Sequence, residues 1–242
     1  TGMSASSELN ASAAARMKQR SSSNLRYASR MNRATRIHRL GSTTRLSCSI
    51  TCARSSRKIF HGFGIFGKGL STGVRTLAEM LSKNPPANIG VDLLFLDAED
   101  MGVYNKPNTW ALGAKSFSKH IKNPLPKYAI CLDMVGDKNQ EFFIERFSYN
   151  IAPDIVNKVW GLANQLGYSQ FKYIMGQGII DDHYVLYKET GIPSIDIIDF
   201  QYPDNKKNYW HTIEDTPDKC SIESLEAVGT VIATLIYKED QK

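Results

Sequence analysis

Val91-Asp92-Leu93-Leu94-Phe95-Leu96-Asp97-Ala98-Glu99-Asp100 is the stretch whose reading decides the fold. Its centre is a nearly continuous apolar run of strand length, as expected where a strand is covered on both faces. It closes on three acids within four positions. Carboxylates at the end of a buried strand are costly unless something cationic meets them. The stretch therefore predicts a strand from Val91 to Asp97 that delivers acids to a site.

The same design recurs downstream. Tyr128 to Val135 is a second apolar run, interrupted by Asp133, and Phe142 to Phe147 is a candidate third strand. Pro193 to Phe200 is a further strand. Between the strands lie helical periods. Val74, Leu77, Ala78 and Leu81 share one face of a helix over 71–83, which Ser71 or Thr72 can cap and Asn84-Pro85-Pro86 stops. Helices are also predicted over 110–120, from Pro153 to Leu166, over 182–190 up to Gly191, and over 221–238. Strands alternating with helices imply an α/β domain, three layers α/β/α around a mostly parallel mixed sheet. Chemistry in such sheets gathers at the C-terminal strand ends.

Residues 1–58 have another character. They hold ten Arg and two Lys against the single acid Glu8, so the basic excess of the chain sits here and residues 59–242 are net acidic. This composition suits a disordered tail or a transit peptide. The abrupt change also raises the hypothesis that this part comes from another reading frame or a rearranged gene, which translation of the upstream DNA in the other frames checks. A weak alternation of Leu46, Cys48, Ile50 and Cys52 is compatible with a strand. An acidic domain excludes a nucleic-acid face, and no apolar run is long enough to span a membrane. Cys48, Cys52, Cys131 and Cys220 form no redox or zinc-ribbon spacing. Gly62-Phe63-Gly64-Ile65-Phe66-Gly67 matches a dinucleotide glycine pattern, but position 69 is Gly where a phosphate loop needs a hydroxyl, so the stretch reads as a linker.

Four polar motifs follow the predicted strands: Asp97-Ala98-Glu99-Asp100, Leu132-Asp133-Met134-Val135-Gly136, Asp181-Asp182-His183, and Trp210-His211-Thr212. Carboxylates with an imidazole are the ligand types of a catalytic zinc. In order and spacing the motifs resemble the M28 metallopeptidase superfamily, and within it the bacterial form of the glutaminyl cyclases. The resemblance runs from about Ser71 to Tyr237 and implies a zinc aminopeptidase/glutaminyl cyclase-like fold. It implies that Glu99 is the general acid/base, that Asp100 and His211 bind zinc, and that Trp210 lines the substrate pocket. Asp133 and Asp181 would form an acid network beside Glu99, and Asp196 stands where some animal members have His.

The resemblance further implies a substrate that is a peptide or protein N-terminus, a monomer, and an extracytoplasmic site of action. The expected reaction converts N-terminal Gln to pyroglutamate with release of ammonia and uses one zinc. The alternatives are an M28 aminopeptidase with two zinc ions and an inactive peptide-binding relative. One departure bears on all three. Where the family carries a further acidic ligand, in an Asp-Gly-x-Ser-Gly turn, this chain has Gly69-Leu70-Ser71-Thr72-Gly73. The upstream His-x-Asp element and the first sheet strands of the family are not recognisable either.

Overall fold

The structure, a computed structural model, describes residues 47–48, 59–66, 70–94, 96, 98–121 and 123–241. The tail expected over 1–58 lies outside the described residues apart from 47–48, and so do positions 69 and 97. The described residues hold the strands β1 (Ser47–Cys48), β2 (Ile59–Phe66), β3 (Ile89–Leu93), β4 (Tyr128–Asp133), β5 (Phe142–Ile144), β6 (Phe171–Met175) and β7 (Ser194–Ile198). The α-helices are α1 (Leu70–Lys83), α2 (Leu112–Ser118), α3 (Arg146–Ile151), α4 (Pro153–Gln165), α5 (Asp182–Thr190) and α6 (Ile222–Asp240). β3, β2, β4 and β7 run parallel, and β1 adds an antiparallel bridge to the end of β2. β5 and β6 form a separate parallel pair.

The glycine-rich stretch is not the linker that its composition suggests. It lies in β2, an eight-residue strand flanked by β3 on one side and β4 on the other. Glycine is unfavourable in an isolated strand, yet ladders on both sides hold this one in register. Gly62 and Gly64 are thereby committed to the sheet and do not form an open phosphate-binding turn. β3 is displaced from the predicted Val91–Asp97, and the reason is its partner. The β2–β3 ladder ends at Phe63 and Leu93, and β1 then takes over the β2 edge at Ile65 and Phe66. Leu94 and Leu96 therefore lie outside the sheet, ahead of Glu99 and Asp100.

Two apolar layers sandwich the sheet. Ile130 and Leu132 of β4 join Leu77 of α1, Val159 and Trp160 of α4, and Val231, Ile232 and Leu235 of α6. Ala129, on the opposite strand face, packs with Leu186 of α5 and Ile192. A buried Leu or Ile side chain contributes about 1.5–3 kcal/mol, so these layers dominate the stability of the domain. Trp160 is fully buried, and its indole N–H donates to the carbonyls of Phe142 and Lys172, which ties α4 to the β5–β6 pair. At the other end of the sheet, the Asp240 carboxylate accepts from the backbone N–H groups of Ala87, Asn88 and Ile89. This anchors the start of β3 to the last turn of α6.

Candidate active site

Parallel strands put their C-terminal ends on one edge, and the candidate residues are built there. After β3 the chain turns through Ala98-Glu99-Asp100. This turn is fixed on the start of α2, where Ala111 N–H donates to the Glu99 carbonyl at 3.1 Å and Leu112 N–H to that of Ala98 at 3.3 Å. Asp133 is the last residue of β4. His211 lies in the loop that follows β7. Three non-glycine residues at these points adopt left-handed backbone: Ala98 (φ 53°), Met134 (φ 50°) and His211 itself (φ 58°). Such conformations cost energy and persist where the surroundings enforce them, which is common at functional sites.

The two expected metal ligands meet. His211 Nε2 lies 2.6 Å from Asp100 Oδ1, joining the loop after β3 to the loop after β7. Both side chains are partly accessible, at 31% and 22%. Trp210 stacks on the His211 ring with centroids 3.9 Å apart, and Trp110 stacks on both at 6.0 and 6.4 Å. Phe200, just past β7, packs on Trp210 at 5.3 Å. The imidazole thus sits in an aromatic stack with Trp110 and Trp210, and its polar partner is Asp100.

Glu99, Asp133 and Asp181 form a group of mutually repelling acids. Burial, then the charges of Asp181, Asp100 and Asp133, push the Glu99 carboxyl far above the usual carboxylate range. Burial and the neighbouring Asp181 and Asp100 also raise Asp133. Burial raises Asp181, the N-cap of α5, while the nearby His183 and the N–H of Asp182 work against the rise. Acids arranged in this way hold protons at neutral pH or surround a cation, and both suit acid–base chemistry beside a metal.

The structure therefore brings together Glu99, Asp100, Asp133, Asp181, Trp210 and His211. Gly69 lies outside the described residues. Sequence reasoning passed over Trp110, Glu145 and the part played by His183. Glu145 is buried at the start of α3, where it caps Phe147 N–H and Ser148 N–H, accepts from the Ser148 hydroxyl and from Ile179 N–H, and meets His183 Nε2 at 3.1 Å. Its burial penalty is outweighed by His183 and Ser148, which hold its carboxyl down at about 2. An acid followed three residues later by Ser, ahead of a Pro-initiated helix, is the one local signal for it.

Comparison with known proteins now adds to the geometry. None of the curated proteins matches the chain. Among solved structures, a Bacteroides thetaiotaomicron glutaminyl cyclase bound to N-acetylhistamine is 32% identical, covering 68% of this chain and 59% of its own, with a TM-score of 0.62. A leucine aminopeptidase precursor from the same organism is also 32% identical, covering 68% and 58%, with a TM-score of 0.61. A Zn-dependent exopeptidase from Parabacteroides distasonis is 33% identical, covering 68% and 60%, with a TM-score of 0.62. The chain thus spans about three fifths of the length of these similar structures. These neighbours are enzymes of the zinc exopeptidase and glutaminyl cyclase type, and the three-layer α/β architecture with its parallel strands is the fold they share with this chain. Residues 69–236 match the model of peptidase family M28, and the chain belongs to that family.

Proposed function

We propose that this chain carries the catalytic portion of a glutaminyl-peptide cyclotransferase, which converts the N-terminal Gln of a peptide or protein to pyroglutamate and releases ammonia. The observation that supports this reading is the donor set. One carboxylate and one imidazole meet at Asp100 and His211. The other imidazoles with described side chains are engaged elsewhere, His183 with Glu145 and His120 with the Ser116 carbonyl. A two-metal peptidase site calls for more donors than this pair. Two donor atoms of zinc type at hydrogen-bond distance, on partly open side chains, fit the ligation of a catalytic zinc. Zinc held by Asp100 and His211 would supply Lewis-acid polarisation of the substrate γ-amide carbonyl.

The remaining steps belong to the protein. The substrate side chain packs against Trp210, which orients the amide. The peptide's own α-amine is the nucleophile, so the attack is intramolecular and the enzyme contributes chiefly alignment. Glu99 takes a proton from that amine and returns it to the departing ammonia. Asp133 and Asp181 hold Glu99 in place, and their negative charge keeps it basic enough to accept the proton.

Mass spectrometry of a Gln-initiated peptide incubated with the protein and zinc tests the proposal. Loss of ammonia alone supports it. Loss of the entire first residue assigns the chain to the aminopeptidases. An unchanged peptide, restored to turnover by Gly69→Asp, would mean that the site lacks its third ligand.

A further inference from the structure

Within the sheet lies a second cluster that the proposed reaction does not use as a metal site. Cys131 of β4 and Asp196 of β7 are direct partners across the parallel ladder. Asp181, at the start of α5, approaches the same point. One ligand atom from each of the three lies within 4.8 Å of the other two, and all three residues are buried. Cys131 Sγ and Asp181 Oδ2 are 3.7 Å apart. Donors that sit about 2.0–2.3 Å from a zinc-like ion are about 3.5 Å from one another, so this pair already has the spacing of a coordination edge.

Several atoms here lack any other explanation. The Asp196 side chain is fully buried, and neither carboxylate oxygen has a hydrogen-bond partner. His183 Nδ1, 3.6 Å from Asp196 Oδ2, also has none. Its other ring nitrogen is held by Glu145. A buried carboxylate with two orphaned oxygens costs several kcal/mol, and native proteins seldom tolerate one. A carboxylate–imidazole pair with the second ring nitrogen left open is the usual support around a metal centre.

We propose that Cys131, Asp181 and Asp196 form a buried site for a divalent transition ion of the zinc or cobalt class. The site is distinct from the Asp100–His211 pair and does not rest on the cyclase reading. Binding releases the Cys131 thiol proton to solvent and leaves a thiolate–metal bond. The ion would lock β4, β7 and the start of α5 together and offset the acid excess below Glu99.

Cobalt(II) supplies a selective probe, because a thiolate ligand gives charge-transfer absorption in the near ultraviolet and Asp100 and His211 provide no sulfur. The full chain is refolded with cobalt(II) and compared with C131S, D196N, C220S and a C48S/C52S double variant. Expected are a charge-transfer band in the parent, its loss in C131S, cobalt binding at least tenfold weaker in D196N, and an unchanged band in the other two. No band in the folded parent overturns the site, and so does a band that survives in C131S. If C131S does not fold, alkylation of Cys131 under partly denaturing conditions gives the answer in the parent alone. Protection by cobalt is expected, and equal rates with and without the ion overturn the proposal.

Discussion

In the proposed reaction Glu99 carries the proton, and its neighbours bear on that role. It is surrounded by Asp181, Asp100 and Asp133, so its carboxyl holds a proton far more tightly than a free glutamate does. Glu99→Gln keeps the shape and removes the proton acceptor. We expect turnover of a Gln-initiated peptide to fall at least 100-fold, with zinc content unchanged by atomic absorption. Loss of zinc would instead make Glu99 a ligand. His183→Ala acts on stability, because it leaves the Glu145 charge buried without its partner. That change should cost about 3–5 kcal/mol in urea unfolding. A cost below about 1 kcal/mol would mean that the backbone donors alone satisfy Glu145. The site residues that follow strand ends were legible in the chain because each breaks an apolar run. Glu145 and Trp110 were not, since their roles depend on contacts distant in sequence, Glu145 with Ile179 and His183 and Trp110 with Trp210 and His211.

At the scale of elements, the pattern recovered most helices and placed β4 and β7 within two residues of their bounds, but it missed α3, whose first residues fall in the expected strand Phe142–Phe147 because Glu145 caps a helix there. α1, α4, α5 and α6 stand within two residues of their predicted bounds, because apolar residues mark α1, α4 and α6 and the left-handed cap Gly191 marks the end of α5. β2 was hidden by its glycines, and the extent of β3 was set by competition for the β2 edge. β6 carries Tyr173, Ile174 and Met175 all exposed, so no alternation marks it as a strand. The Asp240 carboxylate is the main side-chain tie between α6 and β3, beside hydrogen bonds from Asn88 Nδ2 to the Asp240 carbonyl and from the Tyr237 hydroxyl to the Asn84 carbonyl. Asp240 accepts from three consecutive backbone N–H groups, and Asp240→Ala leaves all of them to water. We expect a loss of about 2 kcal/mol, with faster amide hydrogen exchange confined to Ala87, Asn88 and Ile89. Exchange that quickens across the whole sheet would mean that the contact supports the global fold and not the junction alone. Ser221, whose hydroxyl accepts from Ser224 N–H at the other end of α6, offers a smaller comparison at about 1 kcal/mol for Ser221→Ala.

Over the whole molecule, the surplus of buried acid sets the response to pH. Asp199 directly follows the last residue of β7 and is almost fully buried. Its oxygens accept from Glu141 N–H and Gln201 N–H, yet burial prevails and its carboxyl is pushed up to about 7. Asp137 nearby is raised for the same reason. A carboxyl whose folded value lies above its unfolded value binds protons more tightly in the native state. Stability therefore falls as pH rises between the two values, which for Asp199 is the window from about 4 to about 7. Glu145 has the opposite sign, and its contribution is lost only as pH falls toward about 2. Between pH 5 and 8 the raised acids govern, so the metal-free chain should be more resistant to urea at pH 5.5 than at pH 8. Asp199→Asn retains the side-chain volume and an acceptor oxygen while removing the titration. Its unfolding midpoint should change less between the two pH values than that of the parent, and it should exceed the parent at pH 8. A parent whose midpoint rises with pH would mean that the buried acids keep their charge, compensated by a cation, and repeating the titration in the presence of a chelator would then identify that cation as a bound metal.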